Sequence, residues 1–144
     1  MPKSPEKLAN QGVIKDLVRS AVASVERQNY LAASIIMFQT VEGLLRIAIK
    51  VFGEARGTEK ETLEKCADNE TSFWRLVLHF DMVHPGNAFG KKLLALNTQR
   101  NKIMHRLFFD FDSLEQLQKE LGDFCKEAME LNISLQKILR LPQT

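Results

Sequence analysis

The chain has 144 residues and a net charge of +2; 44% of its residues are hydrophobic and 26% are charged. This composition predicts one globular domain over residues 1–144 with a single core, and it argues against an intrinsically disordered chain. The two cysteines have neither metal-ligand nor disulfide-framework spacing, and the apolar stretches are too polar to span a membrane. We therefore expect a cytoplasmic protein without a membrane partner.

Helical patterns separated by short turns follow one another along the first part of the chain. Ser4-Pro5 is typical of a helix start, and apolar residues at helical spacing continue from there to Val25. A second helix is predicted over residues 30–52, with Gly53 as its C-terminal cap. Both helices are long enough to contribute a stripe of core residues.

The second part of the chain continues with shorter elements and then two longer ones. Helices are predicted over residues 58–67, where Thr58 begins a capping pattern, 72–80, 88–108 and 113–140, where Ser113 is the cap. No strand pattern or internal repeat is present in the sequence. We therefore predict an all-α fold, an antiparallel up-and-down helical bundle of four main helices plus a short helical insert.

Two of the predicted core stripes each contain one charged residue, Glu42 in the second helix and Arg100 in the helix over residues 88–108. Their apolar members are Leu31, Ile35, Phe38, Leu45, Ile49 and Phe52 in the first stripe and Phe89, Leu93, Leu96, Ile103 and Leu107 in the second. Because a buried charge needs a partner, we predict that Glu42 and Arg100 pair, directly or through water. The pair would either set the helix register or orient Arg100 toward a phosphate.

Positive charge is concentrated around Arg100. Residues 85–109 contain no Asp or Glu, and their basic residues are Lys91, Lys92, Arg100, Lys102 and Arg106. Such a local basic field attracts polyanions such as nucleic acid, although a solvated helix face is the alternative interpretation. At about 100° per residue, Asn97, Asn101 and His105 form a polar strip beside the core stripe of this helix.

The pairing of an arginine with a histidine indicates phosphodiester chemistry. Arginine holds a phosphate with a forked pair of donors, and histidine transfers a proton near neutral pH. Arg100 and His105 are therefore the candidate catalytic residues, and Asn97, Lys102 and Arg106 are the candidate substrate contacts.

Other candidate sites have weaker patterns. His79 and His84 are not spaced to share one helical face, so no metal or other cofactor is expected. Phe73, Trp74 and Phe80 could stack nucleic-acid bases, but aromatic residues at helical spacing are more typical of a core.

Arg100-Asn101, followed by three residues and His105, resembles the R-x4-6-H motif of the HEPN superfamily. The resemblance extends over nearly the whole chain in helix number, length and motif placement. It implies a metal-independent RNA endonuclease, of the kind found in toxin–antitoxin, phage-defence and RNA-processing systems. By this resemblance Arg100 and His105 are the catalytic pair and Asn101 supports them. Glu42 is the candidate for an acidic residue that assists from an earlier helix.

The resemblance also implies partners. HEPN domains often dimerise so that their motifs face each other, so RNA and a second copy of the chain are expected, with an antitoxin or regulatory protein as a further candidate. One subfamily, paired with nucleotidyltransferase antitoxins, resembles R-x4-H-x-Tyr. Here Leu107 stands at the tyrosine position and the chain's single tyrosine is Tyr30, which argues against that version. Some members are catalytically silent, so a helical module for dimerisation and protein or nucleotide binding is the alternative.

Overall fold

The computed structural model describes residues 11–105 and 113–140, and within these residues the chain is all-helical, as predicted. The helices are α1 (Gln11–Glu26), α2 (Tyr30–Ala55), α3 (Lys60–Cys66), α4 (Phe73–Val83), α5 (Gly90–His105) and α6 (Leu114–Ile138). None of these helices combines the length and apolar character needed to cross a bilayer. The predicted helix start at Ser4-Pro5 and the predicted helix end at residue 108 lie outside the described residues.

Helix α2 is the centre of the fold. It packs against α6, α1, α4 and α3, whereas α5 packs against α6 and α4. The ring of Phe38 on α2 lies 4.7 Å from the ring of Phe73 on α4 and 6.1 Å from that of Phe124 on α6, measured between centroids. Since burying a large apolar side chain contributes about 1.5–3 kcal/mol, this aromatic group is a substantial part of the contact between the three helices.

The predicted helix caps were right at one position and wrong at another. Ser113 caps α6, because its Oγ accepts a hydrogen bond from the backbone N–H of Gln116 at 3.1 Å. Thr58 does not cap α3, which begins at Lys60 and has Glu59 at the capping position without a side-chain bond. A short helix with few turns depends on packing more than on its cap.

Gly53 does not end α2, contrary to the prediction. The helix continues to Ala55, and the residue with a left-handed backbone is Gly57, at φ +82°. Gly53 is buried inside the helix, where a Cβ would overlap the side chain of Leu63 from α3. Its lack of a side chain therefore permits the close approach of α3, and Gly57 takes the cap role that the sequence pattern assigned to Gly53.

Gly43 and Gly57 lead to opposite predictions for stability. Neither would place a new Cβ within 4 Å of other packed atoms. We expect Gly43→Ala to raise the free energy of unfolding by about 0.5–1 kcal/mol, because Gly43 lies inside α2. We expect Gly57→Ala to lower it by about 1–2 kcal/mol, because the left-handed backbone penalises a Cβ. Urea unfolding measures both, and shifts in the same direction would contradict this assignment.

The predicted core stripes are buried in the middle and exposed at some of their ends. Leu45 and Ile49 of α2 are fully buried, but Leu31 and Ile35 are 43% and 41% exposed. The expectation that Leu31 and Ile35 belong to the core was therefore wrong, because at this end of α2 the buried side chains are those of Ala33, Ser34 and Met37 on a neighbouring face.

The two cysteines form no disulfide with each other. Cys125 is buried in α6, and this burial raises the pKa of its thiol because the thiolate is poorly solvated there. Cys66 is partly exposed at the end of α3. Cys125 accordingly acts as an apolar core side chain.

Candidate functional site

A hollow of about 230 Å³ lies between α2, α5 and α6, next to Arg100. We call it the Arg100 hollow. Its lining includes Phe38 and Glu42 from α2, Met104 from α5 and Leu121 from α6. Ser34 also lines it and ties α2 to α6, since its Oγ donates a hydrogen bond to the backbone carbonyl of Leu121 at 3.1 Å. The hollow is therefore lined by residues of three helices, two of which are joined by this hydrogen bond.

Arg100 is half-buried at the hollow and is held by a ring and an amide. Its guanidinium carbon lies 4.6 Å from the centroid of the Phe38 ring, which is a cation–π contact. One guanidinium nitrogen donates a long hydrogen bond of 3.5 Å to the side-chain oxygen of Asn97. Arg100 forms no ion pair with any other residue in the described ranges. Because arginine has several N–H donors, the remaining ones can bind an anion.

Glu42 pairs with Arg46 instead of Arg100. The Glu42 carboxylate lies 3.0 Å from a guanidinium nitrogen of Arg46, one helical turn further along α2. Arg46 also donates to the backbone carbonyls of Asp68 at 3.1 Å and Thr71 at 3.2 Å. The predicted direct pair of Glu42 with Arg100 is therefore wrong, although both residues line the Arg100 hollow. The i,i+4 spacing of Glu42 and Arg46 is a sequence signal that would have identified the true partner.

Only one residue of the polar strip on α5 lies at this site. Asn97 is half-buried in contact with Arg100, whereas Asn101 and His105 are exposed and do not line the hollow. On a regular helix the side chains of Arg100 and His105 differ in direction by about 140°. Within one chain, the structure therefore joins Arg100 to Asn97 and leaves His105 outside the Arg100 hollow.

The basic residues near the motif have different surroundings. The Lys102 ammonium lies 3.3 Å from a carboxylate oxygen of Glu120 on α6, so part of its charge is offset. Arg106, the other charged candidate substrate contact, lies outside the described residues. Lys91 and Lys92 are exposed in the first turn of α5. The positive charge of the segment is thus spread along α5 rather than gathered in the hollow.

Three apolar residues that line the hollow were not predicted as site residues from the sequence. Leu31, Ile35 and Met104 line the hollow and are 43%, 41% and 51% exposed. Helical periodicity placed Leu31 and Ile35 in the core, because it reports the face of a helix and not whether a neighbour covers that face. Met104 had no distinguishing signal, apart from its position one turn after Arg100 and beside Ile103.

Comparison with models of known protein families, with curated protein sequences and with solved structures found no match.

The histidine and aromatic residues considered as other candidate sites do not line the Arg100 hollow. Among the residues described, no three His, Cys, Asp or Glu side chains are grouped as metal ligands. The His84 ring stacks on Phe52 with 4.4 Å between centroids. Phe73 and Phe80 are buried in the core, as expected, but Trp74 is 48% exposed, contrary to that expectation.

Proposed function

We propose that the chain is a metal-independent RNA endonuclease of HEPN type that works as a homodimer, as a toxin or phage-defence effector in the cytoplasm. In this proposal its main helices form an antiparallel four-helix bundle, and Arg100 and His105 carry the reaction. Asn101 and Asn97 support them, and Lys102 and Arg106 contact the RNA backbone. An antitoxin or regulatory protein is a further proposed partner.

The main support for this proposal is that Arg100 has no carboxylate partner among the described residues. A guanidinium on an apolar stripe normally pairs with a carboxylate, because leaving it unpaired is costly. Among the described residues Arg100 has a phenyl ring and an amide as neighbours and forms no ion pair. A phosphate would supply the missing negative charge, and a flat forked group suits two phosphate oxygens.

The proposed dimer follows from the separation of the two catalytic side chains. Arg100 lines the hollow and His105 projects about 140° away around α5, so one chain does not easily place both at the same phosphate. A second copy related by twofold symmetry would bring another α5 to the same phosphate.

The proposed reaction needs no metal because the RNA supplies its own nucleophile. The 2′-hydroxyl loses its proton to one imidazole, and its oxygen bonds to the adjacent phosphorus. The bond from phosphorus to the 5′-oxygen breaks, and a second imidazole donates a proton to that oxygen. Arg100 stabilises the negative charge that builds up on the phosphoryl oxygens. The products are a 2′,3′-cyclic phosphate end and a 5′-hydroxyl end.

The direct test is incubation of purified protein with mixed RNA in excess EDTA. We expect cleavage that leaves 2′,3′-cyclic phosphate and 5′-hydroxyl ends, and no cleavage at a site whose 2′-hydroxyl is replaced by hydrogen. Sedimentation of the same preparation should give twice the chain mass. Cleavage that disappears in EDTA, or that proceeds at the deoxy site, would show that the mechanism is wrong.

The second candidate function is a catalytically silent helical module that dimerises and binds protein or nucleotide. The exposure of His105, outside the hollow, favours it. In the same test, this module would bind RNA or nucleotide and release it uncut.

A further inference from the structure

The Arg100 hollow has a polar edge as well as an apolar wall. Its volume of about 230 Å³ is below the roughly 300–1,000 Å³ of pockets that take drug-sized ligands. It is therefore large enough for one flat ring system, so that the sugar of a bound nucleotide would lie outside it. Leu31, Ile35 and Met104 provide apolar surface. Gln39 and Glu42, three residues apart on α2, provide hydrogen-bonding groups.

The polar edge has a defined pattern of donors and acceptors. Arg46 holds one carboxylate oxygen of Glu42 at 3.0 Å and so orients the group. The carboxylate is an acceptor, whereas the side-chain amide of Gln39, three residues earlier on α2, can donate. A ligand that matches this edge presents N–H donors toward Glu42 and an acceptor toward Gln39.

Among the four RNA bases, guanine fits this pattern best. Its Watson–Crick edge places two N–H donors next to each other, with the O6 acceptor beside them. Adenine and cytosine would point a ring nitrogen acceptor at the Glu42 carboxylate, and uracil offers only one N–H donor. Proteins commonly recognise an unpaired RNA base through such an edge while its faces lie against apolar or aromatic groups.

We propose that the Arg100 hollow is a guanine subsite, in which Glu42 accepts from N1 and N2 of the base, Gln39 donates to O6, and Arg100 binds the phosphate attached to the same nucleotide. This inference rests on the proposed function, because it takes the ligand to be single-stranded RNA. It adds a base preference: cleavage occurs next to an unpaired guanosine. Glu42 and Gln39 are specificity residues here and take no part in proton transfer.

The test uses methionine methyl groups as reporters of the hollow. Protein labelled with ¹³C at the methionine methyls is titrated with guanosine, adenosine, cytidine and uridine 3′-monophosphates and followed by NMR. Met104 lines the hollow and is 51% exposed, whereas Met82 is 72% exposed on α4 and does not line it. We expect guanosine 3′-monophosphate to shift the Met104 signal in a saturable way, to bind about tenfold or more tightly than the other three, and to leave Met82 unchanged.

Two variants connect the preference to the proposed edge. Glu42→Gln removes the double acceptor, and Gln39→Ala removes the donor to O6. Each variant loses one base contact, so we expect its preference for guanosine to fall to about threefold or less. Gln118→Ala, at an exposed position on α6, is the matched control and should keep the full preference. The spectrum of each variant also reports whether the fold is retained, through the buried Met37 methyl.

Each outcome supports or overturns the inference separately from the proposed function. Equal binding of all four nucleotides would mean that the hollow binds phosphate without recognising the base. A Met104 shift that depends on protein concentration alone would mean that a second copy of the chain fills the hollow. Either result overturns the guanine subsite. If RNA is cut in EDTA without guanosine selectivity, the proposed function stands and the subsite is wrong. If guanosine 3′-monophosphate binds selectively and no RNA is cut, the subsite stands and the nuclease proposal is wrong.

Discussion

Replacement of Arg100 by lysine is expected to slow RNA cleavage by about 10²- to 10³-fold while leaving the fold intact. Lysine keeps the positive charge, but it loses the planar fork that holds two phosphate oxygens at once. It also loses the flat contact with the Phe38 ring, which lies 4.6 Å from the guanidinium carbon and holds it in place. Single-turnover cleavage of a labelled RNA in EDTA measures the effect.

The matched control for this substitution is Arg75→Lys. Arg75 is an exposed arginine on α4 that lies over the Trp74 ring, with its guanidinium carbon 5.5 Å from the centroid. It therefore tests the loss of an arginine on an aromatic ring away from the hollow, and we expect it to cut at the parental rate. An Arg100→Lys protein that cuts as fast as its parent would contradict the role given to Arg100. Equal losses in the two variants would indicate a general effect of replacing an arginine that lies on an aromatic ring, and would likewise contradict the role given to Arg100.

Replacement of His105 by alanine is expected to lower cleavage by about 10²- to 10⁴-fold, because proton transfer to and from the reacting oxygens is lost. His105 is exposed at the end of α5, so its removal leaves no cavity. Like most surface substitutions, it should change the thermal midpoint of unfolding by no more than about a degree or two. The same EDTA assay, together with circular dichroism during heating, measures both quantities.

A mixed dimer distinguishes a shared site from two independent ones. If one imidazole acts as base and the other as acid, a dimer with one His105→Ala subunit should cut far more slowly than half the parental rate. Half of the parental rate would mean that each chain works alone and that the dimer has no catalytic role. His79→Ala is the histidine control, since His79 lies on α4 and does not line the Arg100 hollow.

The helices of the chain were largely predictable, but their ends were less so. Apolar spacing along α2 and α5 identified both helices. It gave the buried residues of α5, but the predicted α2 stripe missed Met37, Val41 and Leu44, which are buried on the neighbouring face. Gly53 looked like a helix end because glycine is common there, yet it serves close packing against Leu63, and the turn falls at Gly57. A glycine in the sequence does not distinguish a left-handed backbone, as at Gly57, from a close neighbour, as at Gly53, or from a position such as Gly43 where a side chain would fit.

The candidate site was predictable only in part. The two charges on apolar stripes predicted that Glu42 and Arg100 lie close together, and both line the Arg100 hollow, whereas His105 lies outside it. The prediction paired Glu42 with Arg100 because it considered only partners on other helices. Arg46, one turn away on the same helix, forms the ion pair with Glu42. Arg100 instead contacts the Phe38 ring and the Asn97 side chain.

By itself, the sequence determined that this chain is helical, which face of each helix is apolar, and that an arginine lies on one such face with a histidine farther along the same helix. Those properties follow from local spacing, since a side chain's direction around its own helix depends only on its position. The tertiary structure decided which faces are covered, which carboxylate each arginine meets, and that Leu31, Ile35 and Met104 border an open hollow. These depend on how separate helices approach one another, and periodicity within one helix contains no information about that distance.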